Sequence, residues 1–151
     1  MNHYLPVNRE VIKIFSPPGV IAFAGHMIDH PTRPSPRFPA AIEDDVRKAI
    51  MHNIESINAH IGFCSLACGS DILFAEAMAE MGKELHIFLP FQIEDFIDVS
   101  VSFAGEGWVQ RFRKVIEKYP VNFVTEERYE GLNSLFQFQT KVILGSALLR
   151  N

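Results

Sequence analysis

The chain has 151 residues, of which 48% are hydrophobic and 21% charged, values typical of one globular domain with a sizeable core. Its formal net charge of −4 excludes a sequence-independent grip on nucleic acid, which needs a basic face, whereas backbone N–H groups can still bind a small anion. No segment has the length of a membrane span and the N-terminus has no cleavable signal pattern, so we expect a cytoplasmic protein without membrane contact.

The first third of the chain predicts an arm, a strand, a loop and a helix. Residues 1–18 form an N-terminal arm that ends in Ser-Pro-Pro, and the apolar run 19–25 is typical of a strand buried on both faces. Residues 26–39 contain four of the nine prolines and indicate an irregular loop. From Ala40 to about Ala59, apolar residues recur every three or four positions and predict a helix.

The remainder alternates strands with helices. Strands are predicted over 61–65, 84–89 and 121–125, and helices over 70–81, 108–119 and 132–149, with a short helix within 93–104. This alternation predicts an α/β, Rossmann-like doubly wound fold, with a mostly parallel sheet of four to five strands and helices on both faces.

Ligands of such sheets bind beyond the carboxyl ends of the strands, where the strand order reverses. Three loops are expected there: Gly25-His26 with the proline-rich loop, Ala67 to Asp71, and Pro90-Phe91. Gly69 and Ser70 stand at a predicted helix N-terminus, which favours a phosphate, and Gly69 lets the backbone approach a ligand closely. The alternative is that Gly69 only makes the turn and that Ser70 or Asp71 caps the helix.

Other polar residues give weaker evidence for a binding site. Arg33 and Arg37 lie in the stiff proline-rich loop and either clamp a phosphate or form a solvated surface. His26 either donates to a ligand or braces the loop. It forms an HxxxH pair with His30, but the pair lacks the helix and general base of a zinc protease motif, so we predict no metal. The only cysteines are Cys64 and Cys68, which we predict to be reduced and packed as small hydrophobic residues rather than joined or bound to metal.

Two segments resemble the SLOG superfamily, which includes DNA-processing protein A and the LONELY GUY cytokinin-activating enzymes. The run SLACGSDILFAEAMAEMGKELHIFLPF is similar to its second motif and FAGHMID to its first, in the same order and spacing. AGHMID, RPSPRFP and ACGSDILFAEA also resemble the N-terminal domain of bacterial signalling proteins that carry tetratricopeptide repeats or cyclase domains. The resemblance covers residues 19–150.

This resemblance implies a domain that binds a nucleotide or a nucleotide-derived ligand and requires no cofactor. Matched position by position, Gly25 and His26 end the first motif, and Gly69, Ser70 and Asp71 form the phosphate- or ribose-facing turn. Glu76 matches the acid on the following helix. The implied partners are a nucleotide-derived small molecule and a fused or separate signalling domain.

The chain also departs from the family. The P-G-G-x-G-T-x-x-E motif of the hydrolytic members is absent. The family's last strand, expected after helix 132–149, is also missing, so we expect a truncated gene or an excised piece of a longer protein. The exposed last helix would then favour homo-oligomers.

Three functions follow as hypotheses. The first is a nucleotide sensor domain in intracellular signalling. The second is a nucleotide N-glycosidic hydrolase, similar to nucleoside monophosphate phosphoribohydrolases, with Glu76 or Asp71 as the catalytic acid or nucleophile. The third is an interaction module or truncated remnant that binds no ligand.

Overall fold

The computed structural model of the protein describes residues 17–150, which form a four-stranded sheet and five α-helices. The strands are β1 (Gly19–Phe23), β2 (Ala59–Cys64), β3 (Glu84–Leu89) and β4 (Val121–Phe123). The helices are α1 (Glu43–Ser56), α2 (Ser70–Glu80), α3 (Ile93–Ser100), α4 (Glu106–Lys118) and α5 (Ser134–Arg150). Apart from residues 17 and 18, the predicted N-terminal arm lies outside the described residues.

The predicted elements are present, with shifted ends. The first helix begins at Glu43 because residues 40–42 form a 3-10 turn, in which the Ile42 N–H donates to the Pro39 carbonyl at 3.1 Å. It ends at Ser56, and Asn58 then takes a positive φ of 52°, so β2 begins two residues earlier than predicted. The third helix covers only the first part of the segment 93–104.

All four strands are parallel and lie in the order β1-β2-β3-β4. Phe23 pairs with Cys64, Cys64 with Ile87, and Leu89 with Phe123, so β1 and β2 end together and β3 and β4 extend two residues further in the same direction. The loops that follow the strands therefore meet at one edge of the sheet. The strand order does not reverse within these four strands.

The two faces of the sheet are covered by different helices, because successive strand residues point to opposite sides. Ile21, Phe23, Cys64 and Ile87 belong to the main core, which also includes buried residues of α1 to α4. Ile61 and Phe63 instead pack with Ile143 and Ala147 of α5 on the second face. The predicted α/β architecture with helices on both faces is thus confirmed.

Helix α5 lies on the opposite face of the sheet from α1 to α4. It follows β4 at one end of the sheet but returns to pack mainly on β1 and β2. No helix within residues 17–150 is long and apolar enough to cross a membrane.

Candidate ligand-binding site

A cavity of about 440 Å³ opens at the carboxyl ends of β1 and β2. Its walls come from the two strand ends, from the loops that follow them, and from α3 and α5. The lining residues are Ala22, Phe23, Ala24, Gly25, Met27, Ser65, Ala67, Asp71, Phe96, Val99, Ser100, Phe136, Gln139, Thr140, Ile143 and Leu144. The walls are mostly apolar, with a few polar groups, as is usual in small-molecule sites.

Asp71 is the ionisable side chain in the cavity wall. The residue is 7% exposed, and its Oδ1 accepts the Gly25 N–H at 3.2 Å. Burial raises the pKa of Asp71 to about 7, although hydrogen bonds from the Gly25 and Ala67 backbone lower it in part. Near neutral pH this carboxyl group exists in both forms, so it can accept hydrogen bonds from a ligand or donate one to it.

The start of α2 is held by the loop after β1. The His26 carbonyl accepts the Ser70 N–H at 3.0 Å, and the Cys68 carbonyl accepts the Ile28 N–H at 3.1 Å. Gly69 has a φ of 106°, and a Cβ on it would lie 2.4 Å from the Ile28 nitrogen. The backbone that comes close to Gly69 is therefore that of residues 26–28, which also accepts one N–H of the first helical turn, that of Ser70.

Gln139 is a polar residue in the part of the cavity wall that α5 forms. It is 4% exposed, and its Nε2 donates to Ser65 Oγ at 2.8 Å and to the Phe88 carbonyl. Because a carbonyl can only accept, the amide nitrogen must face Phe88, which leaves Oε1 as an acceptor. These bonds also fix α5 to the ends of β2 and β3.

A second cleft of about 310 Å³ shares Met27 with the cavity. All four histidine and arginine side chains of the proline-rich loop, residues 26–39, line this cleft. Its lining residues are His26, Met27, Ile28, His30, Arg33, Arg37 and Phe103. Residues 26–28 thus separate an apolar cavity with one acid from a cleft rich in positive charge.

The structure separates the predicted site residues into groups. Gly25, Ala67 and Asp71 line the cavity, and His26, Arg33 and Arg37 line the second cleft. Gly69 and Ser70 lie at the junction that holds residues 26–28. Gly25 packs against Ser70, because a Cβ on Gly25 would lie 2.3 Å from the Ser70 Cβ.

Glu76 faces away from both openings. Its two carboxylate oxygens accept Arg111 Nε at 2.8 Å and Arg111 Nη2 at 2.6 Å. Arg111 also donates to Glu43 at 2.7 Å. Glu76 joins α2 to α4, so we leave it out of the site.

Pro90 and Phe91 support the site from the core. Both are buried, and the Phe91 ring stacks on Tyr129 at 4.5 Å and meets the edge of Phe136 at 5.5 Å. Since Phe136 lines the cavity, Phe91 positions one of its walls. Cys64 and Cys68 are buried free thiols, and burial raises the pKa of Cys68 to about 12.

The walls from α3 and α5 are not predicted by local sequence pattern. Phe96, Val99 and Phe136 look like ordinary helix residues, and Gln139 stands among other polar residues, Gln137, Thr140 and Lys141, so nothing in the local pattern singles it out. No protein-family model, curated protein or solved structure matches the chain. The case for function therefore depends on the geometry of the site.

Proposed function

We propose that the protein binds a nucleotide or a nucleotide-derived ligand in the cavity beyond β1 and β2. The observation that carries this proposal is the buried Asp71 carboxyl group in the wall of an otherwise largely apolar cavity. An isolated carboxyl group is costly to bury, and its pKa of about 7 reflects that cost. Groups with such shifted pKa values concentrate at functional sites.

The shape and chemistry of the cavity suit a nucleoside. Its volume of about 440 Å³ is within the range of small-molecule sites. The half-buried Phe136 offers aromatic surface to a base, and the fully buried Phe96 forms part of the wall. Asp71 suits the hydroxyl groups of a ribose, because a carboxylate accepts two hydrogen bonds from a diol. The resemblance of the segment around Asp71 to the SLOG superfamily supports the same class of ligand.

A sensor role is supported by the position of α5. Four residues of this helix besides Gln139 line the cavity: Phe136, Thr140, Ile143 and Leu144. Leu148 and Leu149 of the same helix are 76% and 92% exposed. A ligand that orders α5 therefore acts on a helix that also presents apolar side chains to a signalling domain or partner.

The enzymatic alternative now rests on Asp71 alone. A carboxyl group with a pKa of about 7 is able to act as a general acid at neutral pH. Glu76, the other candidate acid, is paired with Arg111. An N-glycosidic hydrolase would release a free base from the bound nucleotide, and a sensor would not.

The test is a thermal-shift titration with adenosine, cytidine and guanosine nucleotides, ADP-ribose, NAD and cyclic nucleotides. A ligand at about a hundred times its Kd adds about 2.7 kcal/mol of stability, a rise in Tm of roughly 5 to 10 °C for a chain of this size. We expect such a rise for at least one probe and its loss in Asp71→Asn. Chromatography of the same samples for free base tests the enzymatic alternative.

The matched control is Asp98→Asn, which removes the same charge from an exposed position on α3. We expect this variant to keep the full ligand-induced shift. No shift with any probe in a folded wild-type protein, or an equal shift in Asp71→Asn, would refute the proposed site.

A further inference from the structure

We propose that the cleft lined by His26, His30, Arg33 and Arg37 binds the phosphate group of the ligand whose nucleoside lies in the Asp71 cavity. This inference rests on the proposed function and makes it more specific: the ligand is a phosphate ester, and its phosphate lies on the loop after β1. The N-terminus of α2, where the sequence predicts a phosphate, does not hold it.

The N-terminus of α2 is partly covered by the loop after β1. The Ser70 N–H already donates to the His26 carbonyl, and the Ile28 nitrogen lies where any substituent on Gly69 would point. Met27 and Gly69 also form an antiparallel bridge. A phosphate at this helix end would therefore compete with residues 26–28 for the Ser70 N–H and for the space beside Gly69.

The same loop places two guanidinium groups on its other side. Arg33 and Arg37 both line the second cleft, and arginine matches the oxygen atoms of a phosphate with parallel N–H donors. Asp29 is the nearby acid, but its side chain is only 8% exposed. Asp29 therefore braces the loop from within and presents little negative charge to a ligand.

Asp29 also preorganises the cleft. Its Oδ2 accepts the N–H of Arg37 at 2.7 Å and of Phe38 at 2.8 Å, and its Oδ1 lies 3.4 Å from Arg33 Nε. One carboxylate thus holds the backbone of Arg37 and Phe38 by hydrogen bonds. The Arg33 side chain lies within ion-pair distance of it, but its Nε donates to the Ser35 carbonyl at 2.9 Å. A binding loop that is ordered before the ligand arrives loses less entropy when it binds.

His30 adds a ring N–H donor to the cleft. Its Nδ1 lies 3.3 Å from the Thr32 N–H, which can only donate, and 2.7 Å from Thr32 Oγ1, whose hydroxyl can donate as well. Nδ1 is therefore the acceptor, and Nε2 is the donor that remains. The two arginines and this imidazole are hydrogen-bond donors, which is the set that a phosphate requires.

Met27 lines both the Asp71 cavity and the second cleft. Of the two residues before it, Gly25 lines the cavity and His26 lines the cleft. A ligand that extends over Met27 reaches both Asp71 and the arginines. A nucleoside with a 5′-phosphate has an apolar end and an anionic end in that arrangement.

Calorimetric titration of paired probes tests the inference. The probes are adenosine, cytidine, guanosine and uridine, each with its 5′-monophosphate and 5′-diphosphate. We expect a phosphorylated member to bind at least about tenfold more tightly than its nucleoside. In Arg37→Gln this ratio falls toward one while the affinity for the nucleoside is unchanged, and Arg33→Gln has the same direction.

The control is Arg150→Gln. Like Arg33, Arg150 is exposed and paired with one acid, here Glu84, but it lies at the opposite end of the strands. If Arg37→Gln and Arg33→Gln behave like Arg150→Gln, or if nucleosides bind as tightly as their phosphates, the inference is overturned and the proposed function survives.

A separate titration with inorganic phosphate and pyrophosphate covers the case in which no nucleoside or nucleotide binds. That result, together with no shift from ADP-ribose, NAD or the cyclic nucleotides, removes the proposed function. Binding of pyrophosphate that is lost in Arg37→Gln but kept in Arg150→Gln would then support the cleft as an anion site on its own. Absence of pyrophosphate binding as well would overturn the phosphate assignment.

Discussion

At the scale of single residues, Asp71 shows the conflict between stability and function. Its carboxyl group has a pKa of about 7 in the folded protein, against 3.8 for the unperturbed group. Between these pH values the unfolded chain loses the proton while the folded protein keeps it. The folded state therefore loses stability as the pH rises through this window, and the full cost is present above pH 7.

Replacement of Asp71 by Asn removes this cost. The shift from 3.8 to about 7 corresponds to roughly 4 kcal/mol well above pH 7, and to nothing below about pH 3, where both states are protonated. We expect the difference in unfolding free energy between Asp71→Asn and wild type to grow by that amount from about pH 3 to pH 8. Urea denaturation at several pH values measures it, with Asp98→Asn as control. A difference that does not depend on pH would contradict the buried, protonated carboxyl group.

Gly69 is the second residue on which the site depends. Its φ of 106° is unfavourable for any residue with a side chain, and a Cβ would also meet the backbone of residues 26–28. Gly105 has a similar φ of 100°, but a Cβ there meets no atom within 4 Å. The two glycines therefore separate the cost of the backbone conformation from the cost of the contact.

We expect Gly105→Ala to lower the unfolding free energy by about 1 to 2 kcal/mol and Gly69→Ala by about 3 to 5 kcal/mol. The larger loss expected for Gly69→Ala comes from the displacement of residues 26–28. This substitution should therefore also weaken ligand binding in the Asp71 cavity and in the second cleft. Thermal and urea denaturation check the stability, and the calorimetric titrations check the binding. Equal destabilisation by the two substitutions would show that the contact with Ile28 is unimportant.

At the scale of elements, one arginine joins three helices. Arg111 of α4 forms ion pairs with Glu76 of α2 and Glu43 of α1, and its guanidinium carbon lies 4.0 Å from the centre of the Trp108 ring. These side chains are about three-quarters hidden from solvent, with exposures of 26%, 28% and 31% for Arg111, Glu76 and Glu43. Ion pairs of this kind fix the packing of helices more strongly than pairs in full contact with water.

Glu76→Gln should therefore cost about 1 to 3 kcal/mol of stability, because it leaves the bidentate partner of Arg111 uncharged. Glu94→Gln is the control. Glu94 of α3 is 70% exposed and pairs with Arg113 of α4, the helix that also carries Arg111. We expect less than about 1 kcal/mol there. Glu76→Gln should leave the ligand affinity unchanged, and a large loss of affinity at full stability would return Glu76 to the site.

At the scale of the whole molecule, the architecture follows from the order of strand and helix patterns. Short apolar runs that alternate with helical patterns favour parallel strands, which require helical crossovers. The run 19–25 contains the edge strand β1, whose residues are half-buried rather than fully buried. Because β1 and β2 end opposite each other, the loops that follow them meet at one edge. The predicted homo-oligomer through α5 stays a prediction, with Phe138, Leu144, Leu148 and Leu149 as its exposed apolar residues.

The sequence by itself determined the fold class, the edge of the sheet that carries the cavity, and Asp71 as a member of its wall. These depend on local periodicity and on turn residues, which are readable along the chain. The partners of side chains distant in sequence were decided only by the tertiary structure. Glu76 is bound to Arg111, 35 residues away, and Gln139 to Ser65, 74 residues away.

The position proposed for the phosphate combines both kinds of information. Helix N-termini attract anions, and the local pattern around Gly69 has that character, while the sequence also offered Arg33 and Arg37 as a phosphate clamp. The tertiary structure adds that the backbone of residues 26–28 packs beside Gly69 and accepts the Ser70 N–H. That contact joins segments more than forty residues apart, which no local pattern encodes, and the proposal of Arg33 and Arg37 over the helix N-terminus depends on it.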